Sequence, residues 1–536
     1  MTDKNKNSHA KKKFMPFDDW KKQNQQYTSK PINNPVVSKS IRPALQPEAV
    51  LQTNQSVAPN TDTRTWDKFH NPYHFVPAKN GGRIDDLCKT TFENRQLGHV
   101  THDRYVDNTH SGRVICRLTT KTPFFVGDKR TKDGNDRSPA EVSPFQIDDK
   151  PAIPAASLRG LISNIAEAAS NSALRVLEEQ IYLARINGIK TKIGTTYAYF
   201  SSITPELLPF NPDRKSISIA EQMFGFVEQD YNKDKADDPK EKKKQAFALA
   251  SRLRFSNAIW ANDKDTDYYL EEVVLKILDS PKPPSPALYF KKKDGHGAYI
   301  SKQQLSTNSH HPQGRKYYLH RVVEEKESWV TNPPWKTANE NKRPQQKVKI
   351  TPVKDGAVFY FHINFDNLSN LELGLLLYSL NPSDTFQHKL GMGKPIGLGS
   401  VKIEPVGLFT VNRKERYFSQ TGDLFEQKRY HNAWKSGTNS LPAIYDREKM
   451  EYGDGNQLGK LDYEKIKKGF ADRMDKDIQK ALEILGDPAK VTIPVHYPQL
   501  TNKDIENENF KWFMNNDDRN NHCKQFLKPL ELTELK

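Results

Sequence analysis

The stretch His388-Lys-Leu-Gly-Met-Gly-Lys-Pro-Ile-Gly-Leu-Gly-Ser-Val401 decides how this chain folds. Its glycines, Gly391, Gly393, Gly397 and Gly399, allow positive φ and close approach of the backbone to a neighbour. A helical pattern from Leu368 to Leu380 precedes it, and an apolar strand from Val401 to Phe409 follows. The order is therefore helix, glycine loop, strand. A dinucleotide-binding fingerprint needs strand, glycine loop, helix, and the Gly-Lys-Ser/Thr helix start of a P-loop is also missing. With Lys389 and Lys394 inside it, the loop suits a course beside a polyanionic backbone. A glycine-rich turn serving only the fold is the alternative.

Working outward, Gly356 to Asp366 (Gly-Ala-Val-Phe-Tyr-Phe-His-Ile-Asn-Phe-Asp) is the clearest strand, which makes a strand-helix-strand run. An earlier unit begins with a strand from Arg113 to Thr120, continued by Thr122-Pro-Phe-Phe-Val-Gly127. A polar loop from Asp128 to Asp149 follows. Pro151-Ala-Ile-Pro-Ala-Ala-Ser-Leu-Arg-Gly160 then opens a helix whose Leu158, Leu161, Ile162, Ile165 and Ala169 share one face. Ser157 is a candidate N-cap. Arg159 in the first turn opposes the helix dipole, a conflict that a bound anion would remove. The two units predict an α+β, ferredoxin-like (RRM-like) fold. An antiparallel sheet carries two helices on one face, is interrupted by large insertions, and has its other face free to meet RNA.

Five segments follow. Residues 1–65 read as a disordered basic tail containing Lys11-Lys12-Lys13, and order begins near Trp66. Residues 66–184 hold the first part of the core and 185–345 an insertion with further core strands. The insertion includes the mixed-charge run 230–244, the proline-rich turn 280–286, and a short helix at Ala220–Gly225 ending on glycine. Ser251–Ala258 reads as a strand carrying Arg252 and Arg254. The aromatic pairs Tyr289-Phe290 and Tyr317-Tyr318 stand amid lysines, where they could stack on bases or simply pack. Residues 346–412 form the second part of the core. Residues 413–536, with helical patches between Leu461 and Leu485, have no assigned role.

The 536 residues carry a net charge of +16, a pI of about 9.3 and a mean hydropathy of −0.82. That balance favours a polyanionic partner, nucleic acid before membrane. Cys88, Cys116 and Cys523 are too few and too scattered for a disulfide framework or a zinc pair, which fits a reducing compartment. With no bilayer-length apolar run and no signal-peptide core, the chain is expected to be cytoplasmic and soluble.

Several of these segments together resemble the RAMP superfamily of CRISPR-associated proteins, most of all the backbone-subunit branch of type III effector complexes. Pro151–Gly160 is similar to that family's Ile-Pro-Gly-Ser-Ser-Leu-Arg/Lys-Gly helix start, with Ala155-Ala156 in place of Gly-Ser. Phe224-Gly225 and Arg252-Leu-Arg-Phe-Ser-Asn-Ala258 resemble its Phe-Gly element and following strand, and Lys389–Gly399 its glycine-rich loop. Asn71–Pro77 and Thr101-His-Asp-Arg-Tyr105 resemble features of a larger single-RAMP subgroup.

The resemblance implies a guide-RNA-binding subunit of an antiviral ribonucleoprotein whose partners are guide RNA, target RNA and other effector subunits. RNA contacts would come from Ser157, Arg159, Arg252, Arg254, Lys389, Gly391, Gly393, Lys394, Gly397 and Gly399. The alternative is an endoribonuclease. Asp136, or another aspartate of its loop, would cut guide-paired target RNA with Mg2+; or His102, or His388 beside the glycine loop, would process guide RNA as a general base.

Overall fold

The structure is a computed structural model that describes residues 71–81, 83–84, 99–186, 189–211, 214, 216–228, 248–261, 267–277, 289–295, 304–320, 336–337, 340–413, 429–436, 445, 452–453, 461–491 and 495. The chain divides into two units, Met1–Arg64 and Thr65–Lys536, and all described residues belong to the second. The lysine run 11–13, Trp66, Cys88, Cys523 and the segments 230–244 and 280–286 lie outside the described residues.

The centre of the molecule is a largely antiparallel sheet. Strand β1 (His110–Thr120) leads through a hairpin to helix α1 (Ala155–Ala169). The short strands β2 (Leu253–Phe255) and β3 (Ala258–Trp260) come next, then β4 (Val358–Leu368), helix α2 (Asn370–Leu380) and β5 (Ser400–Thr410). Strand β6 (Tyr430–Lys435) and helices α3 (Tyr463–Ala471) and α4 (Lys476–Gly486) complete the core. The sheet order is β6-β5-β1-β4-β3, with Lys150–Ile153 beyond β3 and β2 also pairing with β4.

The pleat of β4 shows why this order holds. Phe359, Phe361, Ile363 and Phe365 point to one face and are buried, as are Val114, Cys116 and Leu118 of β1. Against that face pack Leu158, Ile162 and Ile165 of α1 and the leucines of α2. Each fully buried Phe or Leu contributes roughly 1.5–3 kcal/mol. Helix α2 is buried all round from Leu371 to Leu380 because it is covered twice, by the sheet and by α3. Gly374 allows that approach: a Cβ there would lie 2.7 Å from the Ile466 carbonyl oxygen.

Three sequence expectations change. Residues 128–149 are not an open loop. Gly127–Lys132 and Ala140–Pro144 pair as an antiparallel hairpin, extended by Val348–Ile350 and Val273–Val274. All six residues of its first strand are exposed, so no apolar alternation marks it. Helix α1 begins at Ala155 with Pro154 as N-cap, so Ser157 is its third residue and not the cap. The Ala155 N–H instead donates to Asn257 Oδ1 at 2.8 Å. The sheet face away from the helices is not bare, since Ile115, Val406, Phe409, Tyr430 and Tyr445 form a small apolar cluster.

The described part of 413–536 gains a role, since β6 extends the sheet while α3 and α4 cover the core. No helix among the described residues is long and apolar enough to cross a membrane.

Candidate nucleic-acid interface

The glycine loop folds back on the end of β1. Gly391, Gly393, Gly397 and Gly399 all take positive φ, at 79°, 73°, 109° and 78°. A Cβ at Gly391 would run into the Phe125 carbonyl oxygen, and one at Gly399 into that of Leu390. The loop is pinned by Met392 N–H to Phe125 O (2.9 Å), Gly399 N–H to Pro123 O (2.9 Å) and Leu390 N–H to Gly399 O (2.8 Å). The close approach these glycines permit is therefore to the chain itself. Gly393, Gly397 and Gly399 are buried, and Gly391 alone of the four lines a cavity.

That cavity is a cleft of about 490 Å³ between the start of α1, the glycine loop and α4. Ser157, Gly160 and Asn164 face it from α1, Lys389, Gly391 and Lys394 from the loop, and Leu482 and Leu485 from α4. Lys316 and Tyr318, from the strand Arg315–Tyr318, close another side. No carboxylate is among the described residues that line it.

Its lysines are held away from water. Lys316 Nζ lies 4.0 Å from the centre of the Tyr73 ring and 4.8 Å from that of Tyr318. Lys394 Nζ donates to Gly391 O at 3.0 Å, and Lys389 Nζ to Leu398 O at 3.2 Å. Burial first, and the charge of Lys394 second, hold the Lys316 ammonium down at about 8. Burial lowers Lys394 as well. Two half-buried cations that repel each other, with no carboxylate partner among the described residues, favour an incoming anion. The histidines here add no charge at neutral pH. Burial holds His388 at about 4 and His320 well below its usual range.

The other expected contacts stand elsewhere. Arg159 turns away from the cleft and donates to Phe224 O, where burial and then the Arg175 charge lower its pKa. Arg252 is fully buried and donates to Gln222 O (3.1 Å), Asn367 O (2.6 Å) and the Glu372 carboxylate. It holds the fold together, and no phosphate can reach it there. Arg254, its side chain 57% exposed, pairs with Asp366 at 2.5 Å on the far face of the sheet. The sequence did not single out Lys316 as a contact; the Tyr317-Tyr318 pair beside it was the available signal.

Asp136 is exposed in a tight turn in which Asn135 Oδ1 accepts the N–H groups of Arg137 (2.8 Å) and Ser138 (3.0 Å). His102 is exposed and its ring hydrogen-bonds Ala250 O at 3.1 Å. Among the described residues no three His, Cys, Asp or Glu side chains stand close enough to hold a metal.

A sequence model of the RAMP superfamily matches residues 117–402. No curated protein matches the chain. Among solved structures, that of Csc2 from Thermofilum pendens is similar at 13% identity, covering 70% of this chain and 81% of that one with a TM-score of 0.25.

Proposed function

The chain belongs to the RAMP superfamily, and from that premise we propose that it is a guide-RNA-binding subunit of a type III-like CRISPR ribonucleoprotein acting in the cytoplasm. Its partners are guide RNA, the target RNA that pairs with it, and neighbouring effector subunits. The observation that carries this reading is the cleft in which Lys316 and Lys394, with Lys389 beside them, face the start of α1, with no carboxylate among the described residues that line it. A phosphate backbone supplies the negative charge this arrangement lacks. The strand order β5-β1-β4-β3, with α1 following β1 and α2 following β4, supports reading the core as ferredoxin-like.

The test is RNA affinity in a Lys389→Glu/Lys394→Glu protein whose folding is checked by circular dichroism. Charge reversal in the cleft is expected to weaken single-stranded RNA binding more than tenfold. Unchanged affinity in the folded variant rejects the cleft as the interface.

A second reading, cleavage of guide-paired target RNA, draws on the exposure of Asp136 at a hairpin turn, where a bound duplex can reach it. Asp136→Ala would then abolish cutting while leaving RNA affinity intact. Full cutting by that variant dismisses Asp136.

A further inference from the structure

At the other end of the sheet lies a second concavity, of about 250 Å³, which the lysine cleft does not include. Tyr105, Arg254, Asp366, Arg413, Arg429 and Tyr430 line it. Along β5, Val401 pairs with His388 at the first cleft, and Thr410 pairs with Gly112 at the second. Nine residues of extended strand separate them, about 30 Å.

The side chains here are arranged for a flat, negatively charged ligand. Asp366 holds two guanidinium groups, Arg254 at 2.5 Å and Arg413 at 2.7 Å. The Arg413 guanidinium stacks on the Tyr105 ring, 3.5 Å from its centre, yet Tyr105 remains 60% exposed. Arg429 is exposed, and its guanidinium lies 5.2 Å from the Tyr430 ring. Among the described residues it has no carboxylate partner. Among the described residues that line it, three arginines stand against one carboxylate and leave the site positive. The segment carrying Tyr105 is fixed, because the Asn367 side-chain amide donates to Thr101 O (3.2 Å) and Arg104 O (2.9 Å). Thr101–Tyr105, a motif the first cleft leaves unused, is thus tied to the end of β4.

We propose that this concavity is a second nucleotide site. It holds one nucleobase against the Tyr105–Arg413 stack and the attached phosphate at Arg429. Its size admits a single nucleotide and not a folded duplex. The shared chemistry is a nucleoside 5′-phosphate, either free or as one unit of an RNA strand. A bridging carboxylate that orients two arginines, beside an exposed aromatic ring, is the kind of platform on which bases stack without sequence readout.

The experiment uses the full chain, wild type and Lys389→Glu/Lys394→Glu, each with and without Tyr105→Ala or Arg429→Glu. Binding of adenosine 5′-monophosphate and of a twelve-nucleotide oligoadenylate is measured across a salt series. Tyr105→Ala is expected to weaken the oligonucleotide about tenfold with an unchanged salt slope, because it removes stacking and no charge. Arg429→Glu should weaken it and lower the slope by about one phosphate's worth. If the monophosphate follows the same pattern, the site takes the free nucleotide. If the oligonucleotide alone responds, the ligand is a unit of the strand. Either outcome supports the site. Affinities within twofold of the parent in both variants overturn it, and so does a loss seen only in Arg429→Glu, which charge alone explains. Retained affinity in Lys389→Glu/Lys394→Glu rejects the first cleft without touching this result.

Discussion

Glu372 and Lys316 are both ionisable groups taken out of water, and their surroundings send them opposite ways. Burial alone would raise the Glu372 carboxyl, but the Arg252 guanidinium and His99 more than reverse this and hold it at about 2. Its folded value lies below the unfolded one of about 4.3, so its stabilising effect is complete above that value and is lost as pH falls toward 2. Glu372→Gln leaves Arg252 buried and uncompensated, and is expected to cost about 3–5 kcal/mol in urea unfolding at pH 7. The variant's stability should also fall less steeply than the wild type's between pH 5 and 2. Lys316 has no such partner among the described residues. Its value near 8 is below the unfolded value of about 10.4, so stability rises with pH between the two. A bound phosphate favours the charged form. RNA binding at pH 8–9 is therefore expected to take up protons, detectable by calorimetry in two buffers of different ionisation heat, and affinity should decline above pH 8. Lys316→Met should abolish the uptake. Neither fate was legible in sequence. Arg252 and Arg254 sit two apart on one stretch, yet only the fold sends the first inward to Glu372 and the second outward to Asp366.

At the scale of elements, strands and helices with a buried face were readable. Residues 358–368 alternate between partial and full burial, and the leucines of α2 mark a helix with no wet side. The hairpin strand Gly127–Lys132 was not readable, because all six residues are exposed and its order comes from pairing with Ala140–Pro144. The glycine loop was half readable. Its positive φ values follow from composition, but that the crowding backbone would be Phe125 and Leu390 needed the fold. The start of α1 and this loop share one cleft; that meeting, the inward turn of Arg159 and the contribution of α4 all needed the fold. Gly374 tests the packing directly. In a helix, Gly→Ala normally stabilises by about 1 kcal/mol. Here the added methyl meets Ile466 O at 2.7 Å, and α3 must move. Gly374→Ala is therefore expected to lower stability by about 1–3 kcal/mol, read as a fall in Tm. A rise in Tm would mean that α2 and α3 are not packed this closely.

For the whole molecule the question is whether the affinity for RNA belongs to a place or to the total charge of +16. Salt separates the two. Each phosphate neutralised on a single strand contributes about 0.7 to the slope of log affinity against log salt. If Lys316, Lys389 and Lys394 each neutralise one, changing all three to Gln removes about 2 from that slope. Residues 1–64 offer a counterweight, with eleven Lys and Arg against five Asp and Glu. Deleting them removes a net charge of +6, twice what the three lysines carry. Delocalised binding would follow net charge, so the deletion would flatten the slope more than the triple substitution. Binding in the cleft depends on where charge sits relative to phosphate. The three lysines share a cavity with no carboxylate among its described lining residues, so the substitution should then flatten the slope more than the deletion, with folding of both variants checked by circular dichroism. A deletion that removes the larger share would assign the affinity to the first 64 residues and take the cleft out of RNA binding.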